Sequence, residues 1–196
     1  MDGTSLPIFP LHAVLFPGGP LALRIFEPRY LDMVGRVLRG DARFGVCLIR
    51  EGRETGPAAR THRVGTRVRI VDWHRRVDGL LGVTVMGEQR FNIVDSEVGS
   101  DQLVEARVTL RENEPPTPLP GRYKDLAQLL RTVLSSAGPV YEQFPGDFDD
   151  AVWVGGRLVE LLPFPLSEKQ ALLEMDGPIT RLDRVCALLD RQEQRP

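Results

Sequence analysis

Glu112-Asn113-Glu114-Pro115-Pro116-Thr117-Pro118-Leu119-Pro120-Gly121 is the segment that sets the architecture. Four prolines in ten residues can extend neither a sheet ladder nor a helix, because each lacks a backbone donor and has its φ fixed. The hydrophobic pattern changes across this segment. Upstream, apolar and polar residues alternate with the period of strands; downstream, apolar residues recur at the spacing of a helix face. The expected organisation is therefore a β unit over residues 1–111 with one inserted helix, a connector over 112–121, and a helical unit over 122–196.

The upstream part reads as short strands. Leu21, Leu23 and Ile25 alternate with Ala22, Arg24 and Phe26, and Phe44 to Ile49 is apolar on both faces. Val64, Thr66, Val68 and Ile70 alternate with Arg63, Gly65, Arg67 and Arg69, giving one apolar and one basic face. Asp78-Gly79 predicts a hairpin into Leu80 to Met86. Gly87-Glu88-Gln89 predicts a second tight connection, leading into Phe91, Ile93 and Val94, and Leu103 to Leu110 supplies a last strand. Short strands with frequent turns indicate a barrel or sandwich. Phe16-Pro17-Gly18-Gly19 suits a type II turn. One helix opens at Pro28, carries the stripe Tyr30, Leu31, Val34, Val37 and Leu38, and is expected to close with Gly40 at C′.

The downstream part reads as four helices. Tyr123, Leu126, Leu130, Val133 and Ala137 share a face that Gly138-Pro139 ends. A second helix spans Asp147 to Leu162, with Asp147, Asp149 and Asp150 as its acidic first turn. Its Gly155-Gly156 pair costs about 1 kcal/mol each in a helix interior, which suggests close approach of another backbone. Ser167-Glu168-Lys169-Gln170 has the form of a capping box for a third helix, and Thr180 caps a fourth. Short connections between amphipathic helices imply antiparallel neighbours.

Composition removes several classes of function. With 42% hydrophobic residues the 196-residue chain can bury a core, and a net charge of −2 gives no bulk attraction to nucleic acid or anionic membranes. No run of about 18 apolar residues predicts a membrane span. Met1-Asp2-Gly3-Thr4 lacks the basic start of a secretory signal, so the expected location is cytoplasmic. Cys47 and Cys186 lie far apart in apolar contexts and read as thiols rather than a disulfide. His12, His62 and His74 have no metal-ligand spacing, so no metal is expected. No nucleophile elbow, phosphate loop or zinc helix occurs, and no cofactor or catalytic residue is expected.

Ordered through the chain are Leu6-Pro7-Ile8-Phe9-Pro10-Leu11, Val14-Leu15-Phe16-Pro17-Gly18, and Leu21-Ala22-Leu23-Arg24-Ile25-Phe26-Glu27-Pro28-Arg29-Tyr30. Phe44-Gly45-Val46, Val64-Gly65-Thr66, Gly87-x-x-Arg90-Phe91-x-Ile93, Glu168 to Glu174 and Arg181-Leu182 follow. Together they resemble the amino-terminal, substrate-binding domain of Lon proteases over residues 5–192. The resemblance implies an α+β fold, a PUA-like β pseudo-barrel followed by a carboxy-terminal helical bundle. It also implies recognition of unfolded or tagged polypeptides, as in a protein quality-control adaptor. The ATPase and protease modules of Lon have no counterpart in these residues, so the expectation is a stand-alone, non-enzymatic binding domain.

Two sets of candidate residues follow. Val14, Leu15, Phe16, Phe26, Arg29 and Tyr30 form the peptide-binding set, with the aromatic rings as anchors and Arg29 taking a carboxylate or carbonyl. The same residues also fit a purely structural role at the strand-to-helix corner and over the barrel end. The peptide site is expected in a groove or at the junction of the two parts, with an exposed strand edge supplying backbone hydrogen bonds. Arg63, Arg67, Arg69, Trp73, Arg75 and Arg76 form the alternative, an RNA-binding face across residues 60–76 in which an aromatic ring lies among cations. Its plain counterpart is a solvated strand face.

Overall fold

The computed structural model describes residues 4–40 and 43–193; Met1, Asp2 and Gly3, part of the Met1 to Thr4 stretch behind the expectation about a secretory signal, lie outside the described residues. The chain divides into two compact units, Met1–Glu112 and Asn113–Pro196.

The first unit contains β1 (Thr4–Leu11), β2 (Pro20–Ile25), α1 (Pro28–Arg39), β3 (Phe44–Glu51), β4 (Arg60–Thr61), β5 (Val64–Arg75), β6 (Leu81–Val98) and β7 (Val104–Leu110). Five strands close a ring. β1 runs antiparallel to β7, β7 to β6, β6 to β5 and β5 to β3, and β3 closes it by pairing parallel with β1. A parallel pair needs a crossover, and α1 lies in the connection between β1 and β3. Its face Tyr30, Met33, Val34 and Val37 is buried at helical spacing. These side chains share one core cluster with Phe9, Phe44, Val68 and Val85, in which the Phe9 and Tyr30 rings lie 4.4 Å apart. A second cluster gathers Leu6, Ile8, Cys47, Phe91 and Val108.

The expected turn at Gly87-Glu88-Gln89 does not form. β6 runs unbroken through it for 18 residues. Arg67 pairs with Gln89 and Val68 with Gly87, so Glu88 is the extra residue of a β-bulge. Gly87 serves close approach instead of a reversal. Its N–H donates to Gly19 O at 2.9 Å, its carbonyl accepts from Gly18 N–H at 2.8 Å, and a Cβ there would lie 2.3 Å from Phe16 O. The turn Phe16 to Gly19 is present, with Gly18 at φ +74° and Gly19 N–H donating to Phe16 O at 3.1 Å. Gly40 follows α1 with extended backbone, φ −132°, rather than the left-handed C′ conformation expected.

The second unit contains a 3₁₀ turn (Gly121–Tyr123) and α2 (Lys124–Leu134), α3 (Pro139–Glu142), α4 (Ala151–Leu161), α5 (Leu166–Glu174) and α6 (Pro178–Glu193). The four expected helices are joined by the single turn of α3. α4 packs against α2, α5 and α6. Helix starts differ from the reading of the sequence. α4 begins at Ala151, because Asp150 is its cap and accepts from Val152 N–H at 3.0 Å. α5 is preceded by Pro165 with no side-chain cap, so Ser167 forms no capping box. α6 begins at Pro178 after Gly177 at φ +91°, ahead of Thr180. Gly155 faces the Leu182 and Arg181 side chains at 3.6–3.8 Å, not a neighbouring backbone.

The proline-rich segment is laced onto this second unit. Ala151 N–H donates to Thr117 O and Leu119 N–H to Asp149 O, both at 2.7 Å. The Glu114 carboxylate accepts from Arg181 Nη1 at 2.8 Å, Arg181 Nη2 at 3.0 Å and Gly177 N–H at 2.7 Å. With Arg181 fully buried, that bidentate pair fixes where the segment runs.

Candidate functional site

Beside the closed ring of five strands, β1 and β2 each keep part of an edge unpaired among the described residues. β1 pairs with β7 only up to Ile8, and its last residues, Phe9 to Leu11, continue against β3 alone. β2 lies outside the ring and pairs with β6 from Pro20 to Ile25; among the described residues it has no strand on its other side. Between the end of β1 and β2 lies a groove of about 310 Å³, lined by Phe9, Leu11, Leu23, Ile25, Phe26 and Tyr30. Its volume is that of a ligand-sized cleft, and its lining is mostly apolar.

Phe26 stands at the strand-to-helix corner and is 48% exposed. The phase of β2 buries Leu23 and Ile25 and turns Ala22, Arg24 and Phe26 outward. Tyr30 is buried one helical turn on. Burial, aided by the Glu27 and Glu54 charges and opposed by Arg29, pushes its hydroxyl up to about 12.

Glu27, Glu54 and Thr55 also line the groove. Arg29 Nη2 donates to both Glu27 oxygens at 3.0–3.1 Å, and Gly56 N–H donates to Oε2 at 3.4 Å. Glu54 Oε1 accepts from His12 N–H at 2.7 Å, and its side chain is 47% exposed. Arg29 is 5% exposed; its Nη1 donates to Gln102 O at 2.9 Å, and its guanidinium lies 4.7 Å from the Tyr30 ring centroid. Its Nη1 and Nη2 are thus engaged inside the protein, bracing the strand-to-helix corner, while its buried Nε has no hydrogen-bond partner. Val14, Leu15 and Phe16 are buried, with Leu15 O accepting from Thr66 Oγ1 at 2.5 Å. The turn folds back onto Gly87 and carries them into the barrel end, so they offer no exposed apolar surface. Of the six peptide-set residues, Phe26 and Tyr30 line the groove.

The basic face is less open than its sequence suggests. Arg43 Nε lies 2.9 Å from Glu88 Oε2, Arg67 Nε 3.5 Å from the same oxygen, and Arg69 Nε 3.6 Å from Oε1. One bulged carboxylate thus gathers three guanidinium groups. Arg67 Nη2 also donates to Gln89 Oε1 at 3.2 Å, and the exposed Arg63 donates to Val94 O at 3.4 Å. At the far end of β5 and β6, Trp73 is 58% exposed and Arg75 is exposed beside it. Arg76 and Arg24 each lie 3.4 Å from Asp78. The Leu80 N–H, then Arg76 and Arg24, hold the Asp78 carboxyl below its usual range.

The sequence does not point to Glu88, because Gly87-Glu88-Gln89 has the composition of a tight turn, nor to Glu54, which has no motif around it. Nor does it single out Phe9 and Leu11 as groove lining, although both stand in the string that carries the resemblance. Among the described residues no group of three or more His, Cys, Asp or Glu is placed to hold a metal ion, and no helix is long and apolar enough to cross a membrane. Cys47 and Cys186 are free thiols.

A closed barrel bearing an apolar groove beside an unpaired strand edge, with a helical unit after it, defines an α+β protein of the PUA-like pseudo-barrel class. The chain belongs to the family of the ATP-dependent protease La (LON) substrate-binding domain, whose family model matches residues 5–191. It is 30% identical to Lon protease 2 of Myxococcus xanthus and 25% identical to the Lon protease of Cytophaga hutchinsonii. Each match covers 96% of this chain, which spans 24% of the length of either relative. Among solved structures it resembles a Lon N-terminal domain protein from Xanthomonas campestris, at 38% identity and TM-score 0.77, covering 94% of this chain and 98% of that one. The N-terminal domain of a Mycobacterium avium complex Lon protease shares the fold at 15% identity and TM-score 0.64, covering 98% of this chain and all of the other.

Proposed function

We propose that this protein is a non-enzymatic binding module for polypeptide segments, acting as an adaptor in protein quality control. An unfolded or tagged segment lies extended in the groove, its backbone against the free edge of β2 and an apolar side chain against Phe26. The observation that carries this reading is the exposed Phe26 ring at the mouth of an apolar groove flanked by a strand edge, in a domain family described by substrate binding. Strand addition supplies affinity that does not depend on sequence, and the apolar pocket supplies preference. The two free thiols suit the reducing cytoplasm, where we place it.

Titration with a carboxymethylated, permanently unfolded protein tests the proposal. Saturable binding that persists in 0.5 M salt and weakens on Phe26→Ala is expected; no saturable binding across several unfolded proteins overturns it. The same titration with single-stranded RNA tests the alternative on the exposed Trp73, Arg75 and Arg76, whose binding would fall steeply with salt.

A further inference from the structure

We infer that the groove discriminates by charge, favouring a segment that carries a cationic group next to the apolar residue seated against Phe26. The inference rests on the polypeptide reading and adds to it the chemical class of the preferred segment.

Three ionised side chains line the groove: Arg24, Glu27 and Glu54. Arg24 is compensated by Asp78 at 3.4 Å, and Glu27 by Arg29 at 3.0 Å. Glu54 is held instead by a neutral donor, the His12 N–H, with the His12 ring nitrogen Nδ1 3.5 Å from the same oxygen. Of the two groove carboxylates, Glu27 faces a guanidinium, whereas Glu54 has only the His12 backbone donor and imidazole beside it, so the uncompensated negative charge of the lining sits at Glu54. Glu27 and Glu54 line the groove together with Tyr30, which places both carboxylates beside its apolar floor. A ligand cation seated beside that floor meets the half-exposed Glu54 carboxylate; a ligand carboxylate meets repulsion there. Like-charge juxtaposition of this kind rejects wrong partners as much as the attraction selects right ones. The cation has two sources, a lysine or arginine side chain within the segment or the α-amino group at its start.

The test uses fluorescein-labelled ten-residue peptides sharing one central apolar run, followed by lysine, glutamine or glutamate. A second pair carries the run at the amino terminus, free or acetylated. At low salt the lysine peptide is expected to bind about five- to twentyfold more tightly than the glutamate peptide, with glutamine between, and the ratio to shrink in 0.5 M salt. A stronger free-amine peptide than its acetylated twin assigns the cation to the α-amino group; a lysine advantage alone assigns it to the side chain. Glu54→Gln keeps an oxygen for the His12 N–H while removing the charge, and is expected to collapse the ratio to below about twofold. Glu51→Gln removes an equal charge at an exposed residue outside the groove lining and is expected to leave the ratio intact. Equal affinities across the series, or a ratio that survives Glu54→Gln, overturn the charge inference while leaving polypeptide binding standing. Failure of every peptide and every unfolded protein to bind overturns both.

Discussion

The groove and the basic face share one barrel and differ in what already answers their chemistry. On the basic face, Glu88 gathers Arg43, Arg67 and Arg69, and Asp78 takes Arg24 and Arg76. The charges that read as a nucleic-acid stripe are partly met within the fold. In the groove, Phe26 remains 48% exposed beside an apolar hollow. Exposed charge is solvated at little cost, whereas exposed aromatic surface loses about 25 cal/mol per Å² relative to burial. The difference teaches that a surface is a better binding candidate when its chemistry is unmet inside the molecule than when its composition is merely suggestive.

The comparison breaks most severely at Gly87, where both regions are tied together. That residue bonds the turn behind the groove and immediately precedes the bulged Glu88. Gly87→Ala places a methyl 2.3 Å from a backbone oxygen. Overpacking of this kind costs about 1–3 kcal/mol or more, and urea unfolding should show a loss at or above the top of that range. Gly35→Ala on α1, whose Cβ meets only the flexible end of Arg39 at 3.6 Å, should instead gain about 0.5–1 kcal/mol in the same assay.

Phe26→Asp tests the groove alone. Affinity for an unfolded protein should fall at least tenfold, about 1.4 kcal/mol, with the unfolding midpoint unchanged, while Arg75→Ala should leave affinity as it is. Glu88→Gln tests the other side. Removing the shared carboxylate releases three guanidinium groups, so single-stranded RNA should bind about threefold to tenfold more tightly at low salt, with a steeper salt slope. An unchanged affinity would show that Glu88 is not what limits that face.

The smallest effects are opposite in pH. The unfolded chain ionises Tyr30 at its ordinary 10.0, the folded chain near 12. Stability from this group is therefore complete below pH 10 and disappears as pH rises through 12. Asp78 behaves in the reverse sense: its folded value lies below 3.8, so its contribution is present above that pH and is lost on further acidification. Trp73 fluorescence in a Trp153→Phe background should report loosening of the hairpin in acid before the groove responds.

Much of the fold was legible because it depends on local chemistry. The proline-rich segment separates strand and helix periods, and the two compact units divide within it, between Glu112 and Asn113, so that most of it belongs to the second unit. Asp78-Gly79 makes its hairpin with Gly79 at φ +82°, and Pro28 opens α1 over its apolar stripe. Other local readings failed because a different partner was nearer. Asp150 outcompetes Asp147 as the start of α4 because its carboxylate also accepts Thr117 N–H at 2.8 Å. β1 was not read as a strand, since Pro7 and Pro10 disguise it; it still pairs with β7 and β3. Within the candidate site, Phe26 and Tyr30 were found from the string that carries the resemblance. The burial of Val14 to Phe16 depends on Gly87, some seventy residues away.

Period, proline and glycine alone determined that this chain is a β unit followed by helices, and the ordered motifs determined its family. Tertiary structure decided which arginines are answered and which aromatic stays open. Glu88 meets Arg43 across 45 residues, Glu114 meets Arg181 across 67, and Arg29 reaches Gln102 across 73. Such pairings are set by where the closed ring and the helix packing bring the backbone, and backbone position is a property of the whole fold that no short window of sequence contains.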